Sequence, residues 1–468
     1  MQSLSKGLLA KSIIHINGKL GANERMTDRE LIMKRVKKTL SKINDLDFSK
    51  INEEDRKCEK YINNKKRTIR RYWPFESENI ISVYLKFVLD KQFNIKYPNR
   101  RKIIKELINT LYLIKDYTTF TIYKFDFKDF FDNISACDVY YRMISGSLRR
   151  RKEEDILRDY CESVKSCIQG LPLSNCISEI AGSKFDKVIA KTFADKKVIY
   201  YHRYVDDCIL ILNQHIDYNK LNKVVTDVIH KVFNKEVTLN PEKEKYISSL
   251  QLRSSMQDEL EYLGYLFTLN NKNSQIKIQY GIAESKIQKY KKIIEQIVDS
   301  YIIDENVELL RHRLKCFCRR VVTMDSIGNT CHWKSKGIIA SYEELRFHID
   351  DIDARTKEFL MRGVIQAFLD RKINKFPYFF RTHYTHKNEN PSSKIACNCM
   401  LSPYNLYNSL RKNSAIIFVS NRSIGIESKR LISMCKQINV VPVFQNGTLC
   451  YKETVEKYMS ALKNVNKS

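Results

Sequence analysis

A pair of adjacent carboxylates set between two strongly β-prone runs constrains this chain more than any other feature. In residues 198–212 the sequence Val198-Ile199-Tyr200-Tyr201-His202-Arg203-Tyr204 leads through Val205-Asp206-Asp207 into Cys208-Ile209-Leu210-Ile211-Leu212. β-Branched and aromatic residues dominate both flanks, which predicts a hairpin with the acids at its turn. An acidic pair at a turn is ordinary, because Asp suits turns. Apolar residues closing in on both sides are not ordinary. They leave Asp206 and Asp207 as an anionic island at the end of a buried sheet. Buried carboxylates need compensation, and a divalent cation supplies it.

A second acid stands in a similar setting. Thr121-Ile122-Tyr123-Lys124-Phe125 reads as a strand, Asp126 follows it, and Phe127-Lys128-Asp129-Phe130-Phe131 begins a turn or helix. If that strand neighbours the hairpin, the carboxylates of Asp126, Asp206 and Asp207 converge. Hard oxygen ligands at one point favour Mg²⁺. Two such ions about 3.5–4 Å apart can clamp the attacking and leaving oxygens of a phosphoryl transfer. The charge balance agrees: 468 residues carry 82 Lys+Arg against 54 Asp+Glu, a formal charge of +28. That excess favours a polyanionic partner, most commonly nucleic acid, over a merely solvated lysine-rich surface. Hydrophobic residues make up 43%, enough for a substantial core, and only 13 Gly and 8 Pro exclude low-complexity architectures. The chemistry points to nucleotide polymerisation or nuclease action.

Five motifs, in order, resemble those of reverse transcriptases. Tyr123-Lys124-Phe125-Asp126-Phe127-Lys128-Asp129-Phe130-Phe131 looks like their first palm motif, and Gln169-Gly170-Leu171-Pro172-Leu173-Ser174-Asn175 is similar to the Gln-Gly-x-Pro-x-Ser box. Tyr204-Val205-Asp206-Asp207 resembles the Tyr-x-Asp-Asp box. Leu239-Asn240-Pro241-Glu242-Lys243 resembles the fourth motif with its lysine, and Tyr262-Leu263-Gly264-Tyr265 the Leu-Gly primer grip. Each motif alone is weak; in order and spacing they carry a resemblance that covers roughly residues 60–330. The resemblance implies an α+β right-hand polymerase fold with fingers, an antiparallel palm sheet carrying the catalytic hairpin, and a helical thumb.

The resemblance also implies roles. Asp126 and Asp206 would hold two Mg²⁺ ions, with Mn²⁺ able to substitute, the carbonyl of Phe127 as a further ligand and Asp207 supporting the site. Phe131 would be the steric gate that crowds a ribose 2′-OH and selects deoxynucleotides; otherwise it is a core phenylalanine beside Phe130. Gln169 and Gly170 would line the pocket for the incoming nucleotide and template. Lys243 would stabilise or protonate the leaving pyrophosphate, or is simply a solvated lysine. Arg100 and Arg101 match the triphosphate-binding residues of the fingers only loosely, and either could hold template phosphate or water instead.

Retroviral and mobile-intron signatures are missing: there is no recognisable RNase H, integrase or zinc-endonuclease segment. The retron signatures Asn-Ala-x-x-His and Val-Thr-Gly are also missing, since Val322-Thr323 is followed by Met324. What remains is similar to the stand-alone prokaryotic reverse transcriptases of antiphage defence, including abortive-infection types. That implies a noncoding RNA as template or scaffold, dNTPs as substrates, a DNA product, and either a homo-oligomer or a second defence protein as partner. Some members of that group synthesise without a conventional template or prime from a protein hydroxyl; Tyr451 and Tyr458 are among 27 tyrosines here, none singled out. An RNA-directed RNA polymerase shares the palm, but Tyr204, Val205 and the aromatic Phe131 favour DNA. A structural RNA-binding protein with a vestigial palm is the rival from another class.

The chain is expected to divide into a basic helical region (1–75), a fingers and palm core (76–275), a helical thumb-like region (276–390) and a small α/β extension (391–468). Helices are predicted over 284–303, 307–322 and 342–369, the first two with basic faces suited to a primer–template duplex. In the extension, strands are predicted over 414–419 and 440–444, and helices over 426–437 and 451–463. The run Leu148-Arg149-Arg150-Arg151-Lys152 precedes Glu153-Glu154-Asp155 and reads equally as a self-paired turn or an RNA contact. Cys316, Cys318, Cys331, His332, Cys397 and Cys399 have the wrong spacing for a zinc ribbon or finger and read as free thiols. No signal-like or membrane-length apolar run occurs, so a reduced, soluble, cytoplasmic protein is expected.

Overall fold

The computed structural model describes residues 4–20, 24–26, 28–62, 65–272, 275–327, 330–371, 404–421 and 423–463. The expected boundary at 390/391, the loop 387–393 and both Cys397 and Cys399 lie outside the described residues. The chain forms two compact units: 1–256 with 271–276, and 257–270 with 277–468. Among the described residues no helix is long and apolar enough to cross a membrane.

The first unit opens with α1 (Lys6–Asn17) and α2 (Arg29–Ser41), then an antiparallel hairpin of β1 (Lys57–Ile62) and β2 (Lys65–Arg70). The basic run at 65–67 therefore lies on a strand. Next come α3 (Ser77–Gln92) and α4 (Arg100–Ile114), whose buried face repeats Ile103, Ile104, Leu107, Ile108, Leu111 and Ile114 at helical spacing. The palm sheet comprises β3 (Thr121–Asp126), β4 (Val198–Tyr204), β5 (Asp207–Leu212) and β6 (Lys245–Ser248) in the order β4-β5-β3-β6. All its pairings are antiparallel. β3 and β5 are interior strands, which is why both read as nearly unbroken apolar runs.

Helices α5 (Arg151–Val164), α6 (Pro172–Thr192) and α7 (Tyr218–Val232) belong to the same unit, α6 starting on proline at its first turn. Phe125, Phe127, Phe130, Phe185 and Phe233 form one aromatic cluster with ring centroids 5.1–6.5 Å apart. The acids after the basic run at 148–152 are engaged, in part by the run itself: Glu153 meets Arg150 at 3.4 Å. Glu153 accepts from Tyr84, and Glu154 accepts from Tyr140 Oη and the Gly146 amide, each at 2.9 Å.

The second unit begins with a three-stranded sheet of β7 (Gln257–Tyr262), β8 (Tyr265–Lys272) and β9 (Gln275–Ile282), in which β7 and β8 are antiparallel. Leu263 and Gly264, both at positive φ (48° and 83°), make the tight turn between β7 and β8. α8 (Glu284–Asp304) buries Ile287, Ile294 and Ile297, as its spacing predicts. The helix expected over 307–322 is shorter: α9 (Val307–Phe317) ends, and β10 (Arg320–Ile327) pairs with β11 (Thr330–Lys336). The β-branched run Val321-Val322-Thr323 favours strand there. Arg313 is buried and donates to Ser300 Oγ at 2.8 Å, and Arg320 pairs with Glu343 at 3.4 Å. Two of the basic residues expected to face nucleic acid are thus engaged inside the unit.

The helix expected over 342–369 splits into a 3-10 segment (Glu343–Asp351) and α10 (Ala354–Asp370), with Asp353 capping the latter through the Thr356 amide. Further on, β12 (Ala415–Phe418) pairs in parallel with β10, so one sheet takes strands from both sides of residue 390. α11 (Ser428–Gln437) and α12 (Tyr451–Lys463) pack on it, while the strand expected over 440–444 reduces to Phe444–Gln445. The Tyr458 hydroxyl is buried and Tyr451 Oη donates to the Ile426 carbonyl at 2.6 Å, so neither is presented as a primer. Cys316 and Cys318 are free thiols. The side chains of Cys331 and His332 lie outside the described residues.

The aromatic cluster predicts a stability effect. Phe185→Ala should destabilise the first unit by about 3–5 kcal/mol through lost burial and a residual cavity. A lower urea midpoint read by tyrosine fluorescence checks this, and an unchanged midpoint contradicts it.

Candidate active site

Strand register builds the site. Asp126, the last residue of β3, stands opposite Asp207, the first of β5, and Tyr204 at the end of β4 also pairs with Asp207. Val205 and Asp206 are left as a two-residue turn. Val205 takes φ +62°, a region rare for a β-branched residue and costing about 1–3 kcal/mol. Backbone bonds fix the opposite side: the Phe127 amide donates to the Asp206 carbonyl at 3.3 Å, and the Asn240 amide to the Asp126 carbonyl at 2.8 Å. One oxygen from each of Asp126, Asp206 and Asp207 then lies within 4.8 Å of the others.

The electrostatics follow from that crowding. Asp126 is 1% exposed; its Oδ1 accepts from Lys243 Nζ at 2.8 Å, and its buried Oδ2 accepts no hydrogen bond. Burial raises the Asp207 carboxyl to about 7; Lys124 pulls it down, and the charges of Asp126 and Asp206 push it up again. For Lys243, partial burial works against the charge. The hydrogen bond to Asp126 and the three nearby carboxylates outweigh it and hold the ammonium above its usual range. An orphaned buried carboxylate oxygen beside two further carboxylates fits a hard divalent cation, and these three acids are the residues able to hold one.

The other expected residues stand on different elements of the same unit. The Phe127 ring is buried and stacks on Phe130 at 5.1 Å. Phe131 is half-buried and meets Phe130 edge-on at 5.8 Å. Gln169 is half-buried; Gly170 is exposed at φ +105°, and a Cβ there would come within 3.4 Å of the Arg70 carbonyl oxygen. A side chain at 170 would be strained in any case. Arg100 and Arg101 occupy the first turn of α4, capped by Asn99, which accepts from the Arg101 amide at 3.0 Å. That helix is tied to β4: His202 Nε2 meets Glu106 at 2.8 Å and Tyr200 Oη donates to the Ile103 carbonyl at 2.6 Å.

Two residues escaped the sequence reading. Lys124 donates to the Lys243 carbonyl at 2.9 Å and is the cation acting most strongly on Asp207. Its signal was a lone lysine inside an otherwise apolar interior strand. Arg203 donates through Nη1 to the Val205 carbonyl at 3.0 Å, beneath the turn itself. It passed unnoticed as one of many basic residues.

Residues 76–267 match the family model of the reverse transcriptase (RNA-dependent DNA polymerase). Residues 76–267 thus form a reverse-transcriptase-like domain, and the antiparallel palm sheet within it agrees with a right-hand polymerase fold. No curated protein matches the chain. Among solved structures it is similar to an apo telomerase from Candida tropicalis truncated from its C-terminal domain, with 16% identity, a TM-score of 0.33, and 46% of this chain and 52% of that one covered. A telomerase from Candida albicans with a fragment of telomeric RNA gives 12% identity and a TM-score of 0.31, over 83% of this chain and 56% of that one. The chain spans little more than half the length of these structures.

The raised Asp207 pKa gives a pH dependence. An unfolded aspartate titrates near 4 and the folded one near 7, so between those values the native metal-free protein binds the extra proton and loses stability as pH rises. A cation must displace that proton below about pH 7. The rise in melting temperature on adding Mg²⁺ should therefore be small at about pH 5 and grow towards about pH 8. In Asp207→Asn the metal-free protein should lose this dependence; an unaltered profile would contradict the assignment.

Proposed function

We propose that the three-carboxylate site polymerises deoxynucleoside triphosphates into DNA on an RNA template or scaffold. The observation that carries this is the convergence of Asp126, Asp206 and Asp207 within 4.8 Å, inside the segment that matches the polymerase family. In this reading Asp126 and Asp206 hold two Mg²⁺ ions with the Phe127 carbonyl, and Asp207 supports them. Bound there, the ions supply Lewis-acid stabilisation of the attacking and leaving oxygens. Lys243 keeps its charge at neutral pH and neutralises, or protonates, the departing pyrophosphate. Phe131 crowds the 2′ position of the sugar, Gln169 and Gly170 contact the incoming nucleotide and template, and Arg100 and Arg101 take the triphosphate.

The likeness of the motifs to stand-alone prokaryotic enzymes supports a wider reading: synthesis with a partner noncoding RNA, serving antiphage defence. Protection of infected cells should be lost with Asp206→Ala/Asp207→Ala. Protection kept by that variant would favour a structural RNA-binding role with a vestigial palm.

The enzymatic test is incorporation of each labelled dNTP and rNTP by the purified protein with its co-purifying RNA. Wild type should incorporate dNTPs, and Asp206→Ala/Asp207→Ala should fall to background. Lys243→Ala should lower kcat on the order of a hundredfold with little change in RNA affinity. Phe131→Val should raise rNTP use relative to dNTP by roughly ten- to a hundredfold. Equal dNTP incorporation by wild type and the double variant would overturn the assignment.

A further inference from the structure

Directly under the Val205–Asp206 turn, a charged side chain is almost wholly withdrawn from water. The Arg203 side chain is 2% exposed, and Arg203 is the next-to-last residue of β4. A guanidinium has five N–H donors, and here all five are used. Nε donates to Asp186 Oδ1 at 3.0 Å, and Nη2 to Asp186 Oδ2 at 3.1 Å and Glu179 Oε1 at 2.7 Å. Nη1 donates to Glu179 Oε2 at 3.2 Å and, with its remaining hydrogen, to the Val205 carbonyl at 3.0 Å. Tyr201 Oη adds a bond to Asp186 Oδ1 at 2.7 Å.

The helix side of this clamp is equally specific. Glu179, Gly182 and Asp186 share one face of α6 at spacings of three and four residues. Gly182 leaves the gap the guanidinium fills, and a Cβ there would collide with it. A glycine in the middle of a 21-residue helix forgoes helix propensity of about 1 kcal/mol. Two bidentate carboxylates hold the guanidinium plane in one orientation, which a lysine could not reproduce. The fifth donor is thereby aimed at the carbonyl of the strained residue that precedes Asp206.

We propose that Arg203 is the positioning residue for Asp206: clamped to α6, it fixes the Val205 carbonyl and so sets where the Asp206 carboxylate meets a divalent ion. α6 begins two residues after Gly170, so the clamp joins the metal-holding turn to the helix that leads out of the expected nucleotide pocket. This deepens the polymerase reading and rests on it.

The test uses the full chain and reads Mn²⁺ binding directly, by loss of the free-ion electron paramagnetic signal, beside the metal-free melting temperature. Arg203→Lys keeps the charge but cannot serve both carboxylates and the carbonyl. Gly182→Ala keeps every charge and displaces the guanidinium. Both should remain folded and bind Mn²⁺ on the order of tenfold more weakly, as expected when support behind a metal ligand is lost. A folded variant whose Mn²⁺ isotherm superimposes on wild type overturns the inference and leaves the polymerase reading intact. Failure of both variants to fold makes Arg203 a purely structural group and also overturns it. A wild-type protein that binds no Mn²⁺ takes down the polymerase reading itself.

Discussion

Everything around the palm answers one electrostatic problem: three carboxylates held within 4.8 Å of one another. At an effective dielectric near 20, two unit charges at that separation repel by about 3–4 kcal/mol. The fold neither relaxes the acids apart nor leaves them in water. It sets Lys243 against Asp126, turns Lys124 towards Asp207, and lets Asp207 hold a proton to about 7. Those measures are partial. One oxygen of Asp126 stays buried without a hydrogen bond. A site that repels itself when empty is a site whose occupant must be cationic.

Holding such a site demands rigidity from neutral parts of the structure. The aromatic cluster of Phe125, Phe127, Phe130, Phe185 and Phe233 ties β3 to α6 through Phe125 and Phe185, and the register of β3 on β5 fixes Asp126 opposite Asp207. A one-residue slip would turn Asp126 to the other face of the sheet and away from Asp207, so strand register and acid placement are a single constraint. Backbone strain at Val205 is tolerated because the strands and Arg203 together over-determine the turn.

Much of this was legible in the sequence. The hairpin, the position of its acids and the strand before Asp126 follow from β-branched and aromatic runs that admit no helix. The helix over 284–303 followed from its stripe of Ile287, Tyr290, Ile294, Ile297 and Tyr301, of which the three isoleucines are buried. Pairing between distant segments was not legible: the parallel contact of β10 with β12 joins residues 320 and 415, and no local pattern announces it. Helix 307–322 was overextended because its basic residues suit a helix surface, whereas Val321-Val322-Thr323 sided with a sheet that only the distant strand completes. Lys124 and Arg203 were hidden for a different reason. In a chain with 82 basic residues, a lysine or arginine gains meaning only from the acid it faces.

The most direct test of the central claim is a crystal structure with Mn²⁺ and a non-hydrolysable dNTP analogue, examined by anomalous scattering. The account predicts two peaks about 3.5–4 Å apart, both touching Asp126 and Asp206 and one reaching the triphosphate. Clear density for the nucleotide elsewhere, with no anomalous peak among the three carboxylates, would contradict it.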